Sequence, residues 1–206
     1  MFVYLLRHGQ TVYNADGERF CGSSDVGLTA LGWQQARKTA TLLRDVRLEK
    51  IIYSGLRRSR ETARAILEVQ NHLTERDLQI EPAFREVGFG EWEGLTRVEV
   101  AKAFPELYPE WLVDPVRTHI PGGESLRERH AEVLTAFHAV TAQGTDGDIA
   151  IVAHNTINRL LLVGLFGGDA GRYRKLVQRN ACLNVIERTD LGDIRVHAIN
   201  MLPLQT

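Results

Sequence analysis

Apolar residues along the chain alternate between short unbroken runs and stretches with helical spacing. Residues 2–6, 50–53 and 149–153 are runs bounded by polar turns, the pattern of strands buried in a sheet core. Between them the spacing changes. Trp33, Ala36, Ala40 and Leu43 share one face of a helix that begins near Thr29, and Ala63, Ile66 and Leu67 share one face of another. Residues 78–80 read as a short strand, and residues 84–94 hold three glycines and read as loop. Pro105, Pro109 and Pro115 break residues 95–121 into short pieces, an excursion over the site whose Phe104, Leu107, Tyr108, Trp111 and Leu112 are read as packing. A long helix follows Gly122 and Gly123, with Ser125 and Glu128 in capping-box spacing and Leu126, Val133, Leu134, Phe137 and Val140 on its buried face. Residues 155 onward form a leucine-rich helix, and residues 183–187 and 194–199 an edge hairpin. The alternation predicts an α/β protein, 1–206 as one domain, with a three-layer αβα arrangement around a mostly parallel central sheet.

Composition changes this picture little. The 206 residues are 44% hydrophobic and 25% charged, enough chain to bury a core without disulfide or metal staples. A net charge of -1 with both signs scattered excludes a basic block, so nucleic acid is not an expected partner, while a small anion is. Cys21 and Cys182 have no metal-type spacing. No apolar run reaches membrane-span length and the chain enters a strand at once, so a cytoplasmic protein without membrane or signal segment is expected. The final hairpin leaves an edge on which a homodimer could pair.

Chemistry enters at the strand ends. The first run stops at Arg7-His8-Gly9, the second leads to Arg57-Arg58, and the fourth strand stops at His154. In open α/β sheets the crevice beyond the carboxyl ends of the strands is the usual ligand site. If these strands are parallel neighbours, two arginines and two histidines converge on one rim, a set suited to a tetrahedral anion such as phosphate. Neutral histidine is a competent nucleophile, so either ring could carry a phosphoryl group. Glu86, in the glycine-rich loop, is a candidate proton donor.

Taken together, these motifs resemble the histidine phosphatase superfamily, in its phosphoglycerate-mutase-like branch. The resemblance rests on Leu6-Arg7-His8-Gly9-Gln10-Thr11 with Asn14, Gly22, Leu28-Thr29-Ala30-Leu31-Gly32, and Ser54 through Ala63. It continues through Arg85-Glu86, Phe89-Gly90-Glu91-Trp92-Glu93-Gly94, Pro121 through Ser125, and Val152-Ala153-His154. It implies that His8 is the phosphorylated nucleophile, that Arg7, Arg58 and His154 complete the phosphate pocket, and that Glu86 donates the proton. It also implies substrate contacts from Asn14, Gly22 and Asn155, and no metal or other cofactor. Arg58, not Arg57, falls at the family position. Two positions depart from the pattern: Gln10 stands where Glu is usual, and Asn155 where Gly is frequent.

The implied activity is hydrolysis of a small-molecule phosphomonoester through a phosphohistidine. Phosphoglycerate mutase activity is the alternative within the family. Mutases are expected to carry a longer basic insert, whereas residues 87–121 are short, with Arg97, Lys102, Arg117 and His119 as their basic members. The apolar residues of that interval suggest a weakly charged leaving group. A non-catalytic phosphate sensor is disfavoured, because a degenerate member should have lost at least one of Arg7, His8, Arg58, Glu86 and His154.

Overall fold

The computed structural model describes residues 1–142 and 147–204. Six strands form one sheet: β1 (Phe2–Arg7), β2 (Leu48–Tyr53), β3 (Leu78–Ile80), β4 (Asp148–Ala153), β5 (Leu183–Arg188) and β6 (Ile194–Met201). Their spatial order is β3-β2-β4-β1-β5-β6. The first four run parallel, and the β5–β6 hairpin adds antiparallel strands beside β1.

Period-two alternation sorts the strand side chains onto two faces. Val3, Leu5, Ile149 and Ile151 join one apolar cluster with Val133, Phe137 and Leu160. Those last residues come from α6 (Leu126–Ala142) and α7 (Asn155–Leu165). Leu6, Ile51, Ala150 and Val152 face the other way, onto Ala40, Ala63 and Ile66. These belong to α2 (Ala30–Ala40) and α3 (Arg57–Leu67), so the αβα layering is present. Helix starts follow the sequence signals: Thr29 accepts the Gly32 amide, and Ser125 Oγ accepts the Glu128 amide at 3.3 Å. None of the described helices is long and apolar enough to cross a membrane.

The stretch after Thr11 contains a helical turn, α1 (Val12–Ala15), closed by a reciprocal capping box between Thr11 and Asn14. The excursion contains α4 (Arg97–Ala103) and α5 (Leu107–Val113), and Phe104, Leu107, Tyr108 and Trp111 pack with Phe20, Phe89 and Trp92 in a third apolar cluster. Leu112, expected to pack with them, is exposed, because one residue along α5 turns its side chain about 100° away from buried Trp111.

Candidate active site

Register places the functional strand ends side by side. Arg7 of β1 pairs with Ala153 of β4, and Tyr53 of β2 pairs with Val152. The residues that follow, His8, Ser54 and His154, therefore leave the sheet on one rim. Close backbone packing holds the first loop there: a Cβ on Gly9 would lie 2.3 Å from the Gly32 carbonyl oxygen. Only glycine permits that approach of α2 to the His8 loop.

The state of His8 follows from one hydrogen bond. Its Nδ1 lies 2.7 Å from the Gly9 carbonyl oxygen, which can only accept, so Nδ1 carries the proton. Nε2 is left with its lone pair. Burial, then the Arg58 and Arg7 guanidinium groups, hold the ring's pKa well below the ordinary imidazole value, against the opposing Gly9 bond. A neutral, unprotonated Nε2 is what a nucleophile requires. The neighbouring thiol is no rival, since burial pushes Cys21 up to about 11.

Arg58 is wholly buried, whereas Arg57 is solvated and paired with Glu61 at 2.8 Å. The α3 turn points only the second arginine inward. Its two terminal nitrogens donate to the carbonyls of Ser24 at 2.6 Å and Gly22 at 2.7 Å, and its Nε donates to His154 Nδ1 at 3.1 Å. An arginine cannot accept, so His154 Nδ1 must be the acceptor and the ring proton must sit on Nε2. That proton points at Ser54 Oγ, 2.7 Å away. Ser54 can then donate to Ser59 Oγ, which donates to the Leu56 carbonyl. Every hydrogen in the chain has an acceptor.

His154 is fully buried, with Nδ1 accepting from Arg58, Nε2 against Ser54, and its ring centroid 5.1 Å from that of His8. Gly22 likewise contributes its carbonyl to Arg58 instead of lining the cavity. At φ 47° it tolerates no side chain, because a Cβ there would meet Glu93 Oε1. Glu93 in turn accepts from the amide and hydroxyl groups of Ser23 and Ser24 and from the Phe89 amide, organising the loop that holds Arg58.

Glu86 lines the cavity although it is only 6% exposed. Its carboxylate accepts the amides of Val87 at 3.0 Å, Thr156 at 3.1 Å and Ile157 at 3.3 Å, so it is anchored at the N-terminus of α7. Arg129 of α6 fixes its backbone, donating to the carbonyls of Ala83 at 2.9 Å and Arg85 at 2.8 Å. Sequence reasoning missed Arg129. The signal available was a charge three residues after Leu126 and four before Val133, on the helix's apolar face.

Arg7 lines the cavity and donates to the Gln178 carbonyl at 2.6 Å. Gln178 is itself held by buried Asn158 and Asn184. Asn14 Oδ1 accepts from Thr11 and from Asn180 at 3.0 Å, which leaves the Asn14 amide nitrogen without a partner among the described residues. Asn155 lines the cavity as the first residue of α7, where its helical backbone needs no glycine. Gln10 turns away and accepts from Thr29 Oγ1 at 2.9 Å. Phe20 and Trp111 reach the cavity lining, although Trp111 reads from sequence as packing.

The two buried neutral rings predict an acid-sensitive fold. His154 is held well below the ordinary imidazole value by burial first, then by Arg58, His8 and Arg7. Unfolding releases both rings to their usual value near 6.5, so the unfolded chain binds more protons below that pH. Stability is thus fully present above about pH 6.5 and declines as pH falls toward the folded values, by up to about 1.4 kcal/mol per pH unit for each ring. Thermal unfolding in phosphate-free buffer between pH 8 and pH 5 checks this. His8→Asn and His154→Asn should each flatten the slope, and an unaltered slope in the double variant would refute the assignment.

Together, the sheet order and the His8–Arg7–Arg58–Glu86 arrangement at its rim define an α/β protein of the phosphoglycerate-mutase-like class. The chain belongs to the histidine phosphatase superfamily, branch 1, whose family model matches residues 3–201. A glucosyl-3-phosphoglycerate phosphatase of Mycolicibacterium vanbaalenii is 34% identical over 172 residues, covering 80% of this chain and 74% of the relative. A 2-carboxy-D-arabinitol-1-phosphatase of Triticum aestivum is 31% identical over 91% of this chain. This chain spans 37% of that wheat protein and 42% of an Arabidopsis thaliana relative. The crystal structure of the alpha-ribazole phosphatase from Shigella flexneri superposes with a TM-score of 0.85 at 26% identity, covering 100% of both chains.

Proposed function

We propose that the protein hydrolyses a small-molecule phosphomonoester through a phosphohistidine on His8. The observation that carries this reading is the free Nε2 of a buried neutral imidazole, set between two guanidinium groups in a cavity. In the first step the Nε2 lone pair attacks phosphorus and the ester P–O bond breaks, with Glu86 supplying the proton to the departing alkoxide. In the second, water attacks the phosphohistidine, its proton passes to Glu86, and the N–P bond breaks to release phosphate. Arg7 and Arg58 offset the charge that spreads over the equatorial oxygens in both steps. Residues 95–121 form the wall on the leaving-group side, through Arg97 and Trp111. The relatives named as phosphatases support hydrolysis over mutase chemistry.

Glu86→Gln separates the roles. With an alkyl phosphate, whose leaving group must be protonated, kcat/KM, which reports the first step alone, should fall about 10²–10⁴-fold. With p-nitrophenyl phosphate the loss in the first step should be far smaller, because that leaving group needs no proton. Both assays are run with excess chelator, in which wild-type activity should persist. Equal losses on both esters would remove Glu86 from the donor role, and interconversion of phosphoglycerates faster than phosphate release would replace hydrolysis by mutase activity.

A further inference from the structure

The cavity at His8 holds about 130 Å³, and Trp111 of α5 lines it beside Phe20, Phe89 and Tyr173. At roughly 30 Å³ per water, that is space for about four waters, enough for a phosphoryl group and little more. The alcohol portion of an ester must therefore meet these walls. Trp111 stands on a helix of only seven residues, which is too short to keep its place without tertiary contacts. Phe20 and Trp92 meet its ring edge to face, at centroid distances of 5.6 and 5.3 Å.

Further support comes from Arg174, in the short helical segment Ala170–Lys175. Its guanidinium lies 4.1 Å from the centroid of the Trp111 ring, a cation–π contact. Its terminal nitrogens donate to the Trp111 carbonyl at 2.9 Å and the Leu112 carbonyl at 2.7 Å. Both carbonyls lie in the last turn of α5, and the chain beyond cannot serve them: Pro115 has no N–H, and the Val116 amide donates to Asp114. One guanidinium thus holds the ring and the backbone of the same residue. Among the described residues, these are the hydrogen bonds that join α5 to a segment outside residues 95–121.

Arg174 is itself braced. Its Nε donates to the Tyr173 hydroxyl at 3.2 Å, and the Tyr173 carbonyl accepts from Arg159 Nε at 3.0 Å, with the Arg159 guanidinium 4.7 Å from the Tyr173 ring centroid. Arg159 lies on α7, one turn beyond the Thr156 amide that anchors Glu86. A row of side chains therefore runs from the Glu86 anchor to the indole. Arg174 does not line the His8 cavity, and Arg7, His8 and Arg58 make their hydrogen bonds elsewhere.

We infer that Arg174 is a positioning residue: it fixes Trp111 as the wall against which the alcohol portion of the ester is held, so that the leaving oxygen stays in line with His8 Nε2. The inference rests on the phosphatase reading above. It gives α5 a task beyond packing, and it makes a cation outside the phosphate pocket matter for the ester without mattering for phosphate.

The test is a double-mutant cycle between Arg174 and Trp111, read as kcat/KM for p-nitrophenyl phosphate beside the inhibition constant of inorganic phosphate. Arg174→Ala should lower kcat/KM about tenfold, mostly through KM, while inorganic phosphate, which has no alcohol portion, should inhibit within about twofold of wild type. In a Trp111→Leu background the same change should cost less than about twofold, because the ring it serves is gone. Arg174→Lys keeps the charge and is the second variant should Arg174→Ala not fold. It should still lose about fivefold, since one ammonium cannot stack on the indole and bridge both carbonyls. Losses that add independently in the cycle, a phosphate inhibition constant that rises in step with KM, or full activity in Arg174→Lys would each overturn the role. Failure of the wild type to hydrolyse p-nitrophenyl phosphate would instead overturn the phosphatase reading itself.

Discussion

Replacing His8 by alanine is expected to abolish turnover, with kcat falling at least about 10⁴-fold. The whole scheme passes through one bond, between Nε2 and phosphorus, and the other soft or aromatic candidates are disabled: Cys21 is held as a thiol and His154 has both nitrogens engaged. The phosphate-binding groups Arg7 and Arg58 have their own anchors on Gln178, Gly22 and Ser24, so the variant should still bind phosphate. Quenched-flow trapping with a labelled phosphomonoester gives the direct readout. Wild type should yield acid-labile, base-stable protein phosphate at His8, and His8→Ala none. A variant that retained activity within tenfold of wild type would end the covalent mechanism, whatever its labelling.

Arg58→Ala should be the next most damaging change, and it should lower both stability and activity. Its guanidinium spans two carbonyls and an imidazole nitrogen inside the protein, so removal leaves three buried acceptors unpaired along with a cavity. A loss of about 3–5 kcal/mol follows. For a chain of this length that is a fall in Tm on the order of 10 °C. Because Arg58 also lines the cavity, kcat/KM should drop about 10²–10³-fold beyond what unfolding explains, measured below the new Tm. Arg58→Lys should rescue little, since a single ammonium cannot bridge all three acceptors in their fixed plane. Arg57→Ala is the control: exposed and paired only at the surface, it should leave both quantities within measurement scatter. Comparable damage from the two alanine variants would mean that the α3 N-terminus is turned differently from the structure described.

Part of the candidate site was legible in the chain because Arg7, His8 and His154 stand at or just beyond strand ends, and strands announce themselves by unbroken apolar runs. Arg7 and His8, and His154 after β4, were found that way, and parallel pairing then required their ends to meet. Periodicity could not choose between Arg57 and Arg58. One residue along a helix turns a side chain by about 100°, and only the α3 docking angle decides which arginine is buried. The same limit hid Arg159, which reads as one charged position in a leucine-rich helix until Tyr173 is seen to fix its plane. Ser54 acts through the distant His154 side chain, and Glu93 and Arg129 through backbone amides and carbonyls far away in sequence. No spacing rule reports a partner that the fold brings in from more than 40 residues away.

The α/β class, the order in which the strands deliver their polar ends, and the residue types available at the sheet rim were thus readable from the chain alone. These depend on local hydrophobic periodicity and on where each strand stops. Only packing shows which nitrogen of His8 is free, that His154 Nδ1 accepts from Arg58, and that the Gly22 carbonyl accepts from the same guanidinium. Those properties are set by which donor faces which acceptor across chain-distant segments. Hydrogen-bond direction and burial arise only once the elements pack, and they turn a list of polar residues into a buried neutral imidazole with one nitrogen free.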